Sequence, residues 1–222
     1  YLAVSKDDKE LLDGLGENHS TGCVIPNGVD TEYFRFQDAK HKTQEEDALV
    51  FTGSMDWFPN NDAAVYFCRD ILPLIWKNNP NIKFYIVGKD PSTELKECAK
   101  GEDRIILTGR VDDVRAYVER SKIFVVPLRI GGGTRLKILE AMSMQNAVVS
   151  TKVGAEGIEY REDHNIVLAE TPEEFAEKVI VLLADSRKRE ILGNTGRALV
   201  LEKYDWNIIG NTLKDIYERI QE

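Results

Sequence analysis

Short runs of β-branched and other apolar residues alternate with amphipathic stretches along almost the whole chain, and nothing else in the sequence restricts the fold so strongly. Candidate strands are Leu2–Val4, Cys23–Ile25, Ala48–Thr52, Ile82–Val87, Ile105–Thr108, Ile123–Val126, Ala147–Ser150 and Ile166–Leu168. Between them apolar residues recur at helical spacing, as from Ala63 to Trp76, from Asp113 to Arg120 and from Thr134 to Met144. Strands that alternate with helices predict a parallel sheet covered on both faces. Ile123-Phe124-Val125-Val126 is apolar on consecutive residues, as a doubly buried central strand must be, and Pro127 ends it. From Pro172 onward the pattern is nearly all helical. Thr171 precedes Pro172-Glu173-Glu174, a helix start with acids at the positive end of the dipole. Asp205 likewise caps a last helix with Trp206, Ile209, Leu213 and Ile216 along one side. The polar segment Asp38–Asp47 reads as the exposed loop. The predicted architecture is α/β: one doubly wound, Rossmann-like parallel-sheet domain over residues 1–222, with a helical C-terminal segment over about 172–222.

Bulk properties narrow the function. No apolar run approaches the roughly 18 residues that span a bilayer, and no charged-then-apolar leader is visible. Cys23, Cys68 and Cys98 are odd in number and widely spaced, which argues against a disulfide framework or a zinc site and for a reducing, cytoplasmic setting. His19, His41 and His164 stand far apart in polar stretches, so a metal site or a catalytic triad is not expected. A net charge of −9 disfavours general nucleic-acid binding, which needs clustered Lys and Arg.

In doubly wound folds ligands sit beyond the carboxyl ends of the strands. Four glycine-bearing loops follow strands here: Gly53-Ser54-Met55-Asp56, Gly88-Lys89-Asp90, Gly109-Arg110-Val111 and Arg129-Ile130-Gly131-Gly132-Gly133-Thr134. The last is the most informative. Its glycines expose backbone N–H groups directly before a helix expected to begin near Thr134, an arrangement suited to phosphate. Between Glu119 and Glu140 lie five basic residues (Arg120, Lys122, Arg129, Arg135, Lys137) and no acidic one, a local reversal of charge. The plainer reading, a flexible turn before a solvated basic face, stays open. A Walker A ending is missing, and no dinucleotide fingerprint follows the first strand. Glu140 lies among Leu136, Ile138, Leu139 and Met142. It is either an acceptor for ribose hydroxyls or the partner of Lys137 on an exposed face, and spacing does not choose between them. Trp57-Phe58 could pack on a ligand, although aromatics beside turns more often cover a core.

These segments together resemble the C-terminal domain of GT-B glycosyltransferases of family 4, the group 1 glycosyl transferases. The likeness runs through Ala3-Val4-Ser5, Ile25-Pro26-Asn27-Gly28-Val29-Asp30, Phe51-Thr52-Gly53, Tyr85-Ile86-Val87-Gly88 and Leu107-Thr108-Gly109-Arg110-Val111. It continues through Val126-Pro127-Leu128, Leu139-Glu140-Ala141-Met142-Ser143, Ala147-Val148-Val149-Ser150-Thr151 and Gly154-Ala155-Glu156-Gly157. The resemblance implies the donor-binding half of a two-domain enzyme whose N-terminal acceptor domain is absent from this chain. It implies a nucleotide-diphosphate sugar donor, UDP- or GDP-linked, with retaining transfer to a saccharide or lipid-linked saccharide acceptor. It implies no further cofactor and no tightly bound metal. Polysaccharide assembly in a bacterial-type setting follows by family habit, on the cytoplasmic side, with any contact to the inner membrane face made through the missing domain.

Position by position, the second Glu of the family's E-x7-E motif falls on Glu140, implying a ribose contact. The first, which contacts the donor sugar, falls on Gly132 and is lost; backbone N–H groups of Gly132, Gly133 and Thr134 remain. The Arg and Lys that hold the pyrophosphate near Gly53 are also missing. Ser54 stands in place of the Arg, and Pro59-Asn60-Asn61 occupies the Lys region. Arg135 or Lys137 is then expected to supply the charge, with Arg110 and Val111 bordering the base. No catalytic residue is assigned. Two other readings remain: a nucleotide-sugar 2-epimerase of the same architecture, and a non-catalytic binding or scaffold domain.

Overall fold

The computed structural model describes residues 1–15, 22–35 and 46–221, and every expected strand is present in it. β1 (Leu2–Ala3) and β2 (Cys23–Val24) flank helix α1 (Lys6–Leu15). β3 (Glu46–Thr52), β4 (Lys83–Val87), β5 (Ile105–Gly109), β6 (Ser121–Val126), β7 (Ala147–Ser150) and β8 (Val167–Leu168) form one parallel sheet in the order β5-β4-β3-β6-β7-β8. β1 and β2 do not join it; they pair with each other in a separate parallel ribbon. The six-stranded sheet is the doubly wound unit expected, and the ribbon of β1 and β2 lies outside it. These strands are two residues long and carry exposed Leu2 and Val4 beside them, so no doubly buried run draws them into the main sheet.

Ala48 to Phe51, Ile123 to Val126 and Ala147 to Val149 are buried on consecutive residues, as strands covered on both faces require. α2 (Phe58–Tyr66) and α3 (Leu72–Trp76) are joined by a π turn over Phe67–Ile71. Pro73 explains the widening, because it lacks an N–H and its ring crowds the carbonyl of Arg69. The helix starts at Phe58, five residues before the apolar spacing becomes regular at Ala63, with Pro59 in its first turn. α4 (Thr93–Ala99) follows β4, and α5 (Arg115–Arg120) carries the chain from β5 across to β6. α6 (Leu136–Ser143) joins β6 to β7.

The C-terminal segment is helical as expected: α7 (Pro172–Ala184), α8 (Ser186–Lys203) and α9 (Trp206–Gln221). Thr171 caps α7 by accepting from the Glu174 N–H at 3.2 Å, and Asp205 accepts from the Asn207 N–H at 2.8 Å. Trp206 keeps half its surface exposed, yet its ring covers Gly28, where a Cβ would fall 2.8 Å away. Of the expected Asp38–Asp47 loop, residues 38–45 lie outside the described residues, and Glu46 and Asp47 belong to β3.

The strand order sets the candidate edge. From β3 the chain moves outward through β4 to β5, then crosses back and runs the other way through β6, β7 and β8. The loops leaving β3 and β6 therefore diverge, opening a crevice at their carboxyl ends. Phe67 ties the layers beneath it, with ring centroids 4.5 Å from Phe84 on β4 and 5.8 Å from Phe175 on α7. Phe67→Ala should cost about 3–5 kcal/mol, read as a lower urea midpoint with unchanged m-value; a loss under about 1 kcal/mol would show that the ring is not the clasp between these layers.

Candidate functional site

Lys137, in the first turn of α6, reaches across the crevice to the loop that leaves β3. Its Nζ donates to Asn60 Oδ1 at 2.8 Å and lies 4.2 Å from the centre of the Phe51 ring. Asn60 Nδ2 in turn donates to the Ser54 carbonyl at 2.9 Å, so the amide locks the loop while presenting its oxygen to the lysine. Gly53 lies at the junction. A Cβ there would fall 2.7 Å from Asn60 Nδ2 and 2.8 Å from Lys137 Nζ, so only glycine lets the cation approach this closely. The Gly53 N–H donates to the Val87 carbonyl at 2.9 Å, which joins the loops after β3 and β4.

Charge is confined here. Burial pushes the Lys137 ammonium down to about 7, with Arg135 acting in the same direction and Glu140 against it. Burial raises the Glu140 carboxyl, opposed by Lys137. Burial likewise lowers Arg135, opposed by Glu156, whose Oε2 lies 4.0 Å from Arg135 Nη2. Two cations and one carboxylate thus share the crevice with a second carboxylate at its rim. Hydrogen-bonding capacity is also unfilled. Among the described residues, Asn61 Oδ1, Thr134 Oγ1 and Arg135 Nε and Nη2 are buried without a partner, and four of the five such atoms cluster at this edge. Buried polar groups are rarely left so, and a cluster of exceptions beside buried cations suits an anionic, hydroxyl-rich ligand.

The structure brings Gly53, Ser54, Lys137 and Asn60 together, and sets Arg135 beside Gly131, Gly132 and Glu156. Glu140 does not form an exposed pair with Lys137, because the lysine has turned inward to Asn60. The Glu140 carboxylate is largely buried and has no hydrogen bond or ion pair among the described residues. α6 begins at Leu136, two residues later than expected, so the amides of Gly132 and Gly133 do not abut its first turn. Gly133, at φ +82°, turns the chain, and Arg135 takes the cap position with non-helical angles. Ser54 is half-buried and its hydroxyl donates to Asp56, which Lys89 braces at 3.2 Å. Arg110 and Val111 follow the edge strand β5, two strands from β3 and so roughly 10 Å along the same edge.

Sequence reasoning passed over the contacts of Asn60 and Arg129, and left the place of Trp57-Phe58 open. Asn60 had no signal beyond a polar pair at a helix start. Arg129 forms a two-pronged pair with Asp62 at 2.6 and 3.1 Å and lies 4.4 Å over the Tyr66 ring, a contact between residues far apart in the chain. Trp57 and Phe58 do not cover the core; they are 64% and 67% exposed. His164 is exposed, and His19 and His41 lie outside the described residues. No group of three or more potential metal ligands occurs among the described residues.

The family model for glycosyl transferases of group 1 matches residues 46–185. An uncharacterized glycosyltransferase of Methanocaldococcus jannaschii is 29% identical over 230 residues, covering 99% of this chain and 58% of that protein. The capsular polysaccharide biosynthesis glycosyltransferase CapM of Staphylococcus aureus is 24% identical over 230 residues, covering 96% of this chain and 56% of its own. In shape the chain is similar to Anabaena HepE in its complex with UDP, with a TM-score of 0.80 at 16% identity over 98% of this chain and 63% of that one. The chain spans about half the length of the curated relatives it matches.

The buried lysine has a thermodynamic signature that needs no ligand. Between about 7 and the ordinary 10.5 the unfolded chain binds a proton at Lys137 that the folded chain does not, so stability rises with pH across that window. At and below pH 7 the folded state bears the full cost of the buried charge. Lys137→Met should therefore be more stable than wild type near neutrality, with the difference shrinking as pH rises to 10. Urea unfolding at pH 6, 8 and 10 checks this, and a difference independent of pH would count against the buried ammonium.

Proposed function

Since the chain belongs to the group 1 glycosyl transferases, we propose that it is the donor half of such an enzyme, binding a nucleotide-diphosphate sugar for retaining transfer to an acceptor hydroxyl. The observation that carries the reading is the Lys137 ammonium, buried against Asn60 and Gly53 at the point where the strand order reverses. Of the two candidates for the diphosphate charge, the geometry favours Lys137. Arg135 turns instead beneath its own glycine loop, donating to the Gly132 carbonyl and facing Glu156. The diphosphate then lies between Gly53, Ser54 and Lys137, the ribose against Glu140, and the base towards Arg110 and Val111.

The chemistry follows from charge. As the bond from sugar to diphosphate breaks, negative charge grows on the leaving oxygen, and a fixed cation in a water-poor crevice stabilises it. The crevice already disfavours its own ammonium, so a phosphate that restores the charge on Lys137 recovers that cost. No side chain of this chain is assigned as a nucleophile, and no tightly bound metal is invoked. An N-terminal acceptor-binding half would close over the crevice and exclude water. The separate β1–β2 ribbon, with Leu11, Leu12 and Leu15 exposed on α1, is apolar surface of the kind such a half would cover. A saccharide or lipid-linked saccharide would be the acceptor. No helix among the described residues is long and apolar enough to cross a membrane. Any peripheral attachment to the inner face is assigned to the other half.

Calorimetric titration with UDP, GDP and ADP, with and without chelator, tests the reading. One nucleotide should bind independently of chelator, and Glu140→Ala should weaken it about tenfold or more through lost hydrogen bonds to a charged acceptor. Affinity should hold below pH 7 and fall above it as Lys137 loses its proton, with proton uptake on binding at pH 8. Lys137→Met should remove that dependence and weaken the diphosphate more than the nucleoside. A folded chain that binds none of the three overturns the donor-site reading.

A further inference from the structure

Next to Lys137 the glycine loop meets the loop after β7. On one side is Arg135. Its Nη1 donates to the Gly132 carbonyl, and its Nη2 and Nε are buried with no partner. On the other is Glu156, whose Oε2 stands 4.0 Å from Arg135 Nη2. That distance is too long for a direct hydrogen bond. A hydroxyl accepting from the guanidinium and donating to the carboxylate can bridge it with little adjustment, and a hydroxyl is the group that does both. Thr134 Oγ1, also buried and unpartnered, lies beside Gly157, where a Cβ would meet it at 2.8 Å. Three side chains with donors and acceptors to spare thus meet next to the proposed diphosphate site, since Arg135 precedes Lys137 by two residues.

Their frame is rigid. Thr151 follows β7; its hydroxyl donates to the Leu128 carbonyl and accepts from the Gly154 N–H at 2.9 Å, while its carbonyl accepts from the Ala155 N–H at 3.1 Å. The backbone that carries Glu156 is therefore tied to the loop after β6. The glycine loop leaves room on the opposite side. Gly131 and Gly133 hold φ of +119° and +82° and need to be glycine. Gly132 has no such φ, and a Cβ added to it meets nothing within 4 Å. Its missing side chain is free space rather than a demand of the backbone.

We propose that Glu156, with Arg135 and Thr134, forms the subsite for the transferred sugar, Glu156 accepting hydrogen bonds from ring hydroxyls that no carboxylate at Gly132 is present to take. The proposal rests on the donor-site reading, and the same titration separates the two. The probes are UDP, UDP-glucose and UDP-N-acetylglucosamine, and GDP with GDP-mannose, against wild type, Glu156→Gln and the double variant Gly132→Glu/Glu156→Gln. Glu156→Gln keeps the shape of the side chain. It should weaken a bound nucleotide sugar about tenfold, the scale of a hydrogen bond to a charged group, and leave the matching nucleoside diphosphate within about twofold. Restoring a carboxylate at Gly132 should return at least half of the lost affinity. Equal weakening of sugar nucleotide and nucleoside diphosphate overturns the subsite and leaves Glu156 as a counter-ion for Arg135. So does an unchanged sugar nucleotide, or a wild type that binds a nucleoside diphosphate and none of the sugars. Failure of wild type to bind any probe overturns the donor site itself.

Discussion

Parallel strands cannot be joined by tight turns, so every link in this sheet is a crossover, and each strand opens at the same edge into a loop. That requirement gathers Gly53, Gly88, Gly109 and the 131–133 loop on one side of the molecule although 80 residues separate the first from the last. The reversal of strand order between β3 and β6 then parts two of these loops. The buried apolar runs of β3, β6 and β7 matter to function for this reason: they hold the two lips of the crevice at a fixed separation.

Within the crevice the decisive balance is between burial and charge. Burial and Arg135 push the Lys137 ammonium down to about 7 and Glu140 opposes them, while Asn60 accepts its hydrogen bond over the Phe51 ring. Glu140 gains from the same arrangement, because a cation nearby offsets the cost of burying its carboxylate. The pair gives the site one acceptor and one switchable cation without a direct bond between them. Arg135 is the other half of the balance. Its Nη1 is spent on the Gly132 carbonyl, but its Nε and Nη2 are buried without a hydrogen-bond partner, an arrangement that costs stability in the free chain.

Much of the fold was legible from local pattern. Burial on both faces writes itself as consecutive apolar residues, so β3, β6 and β7 were evident, and Thr171 and Asp205 marked helix starts through cap chemistry that acts over three residues or fewer. Where several influences compete, local pattern fell short. Pro59 let α2 begin at Phe58, ahead of the regular apolar spacing, and Pro73 opened a π turn inside what reads as one helix. Gly133 delayed α6 to Leu136. Trp57 and Phe58 carry the composition of core residues and yet stand in the open at the start of α2. The ribbon of β1 and β2 has the alternation of an α/β unit but not the doubly buried strands that would join it to the main sheet.

The sequence alone determined the class of fold and the order of its elements, since each depends on residues near one another along the chain. It also singled out Glu140, Arg135 and Lys137 as candidates without choosing among their roles. Their surroundings were decided by tertiary structure. Lys137 meets Asn60 across 77 positions, and Arg135 faces Glu156 across two different loops. No periodicity relates such pairs. Whether a charged side chain turns to solvent or into a crevice depends on which strand lies beside its helix, and that is set by the crossover topology rather than by the residues next to it.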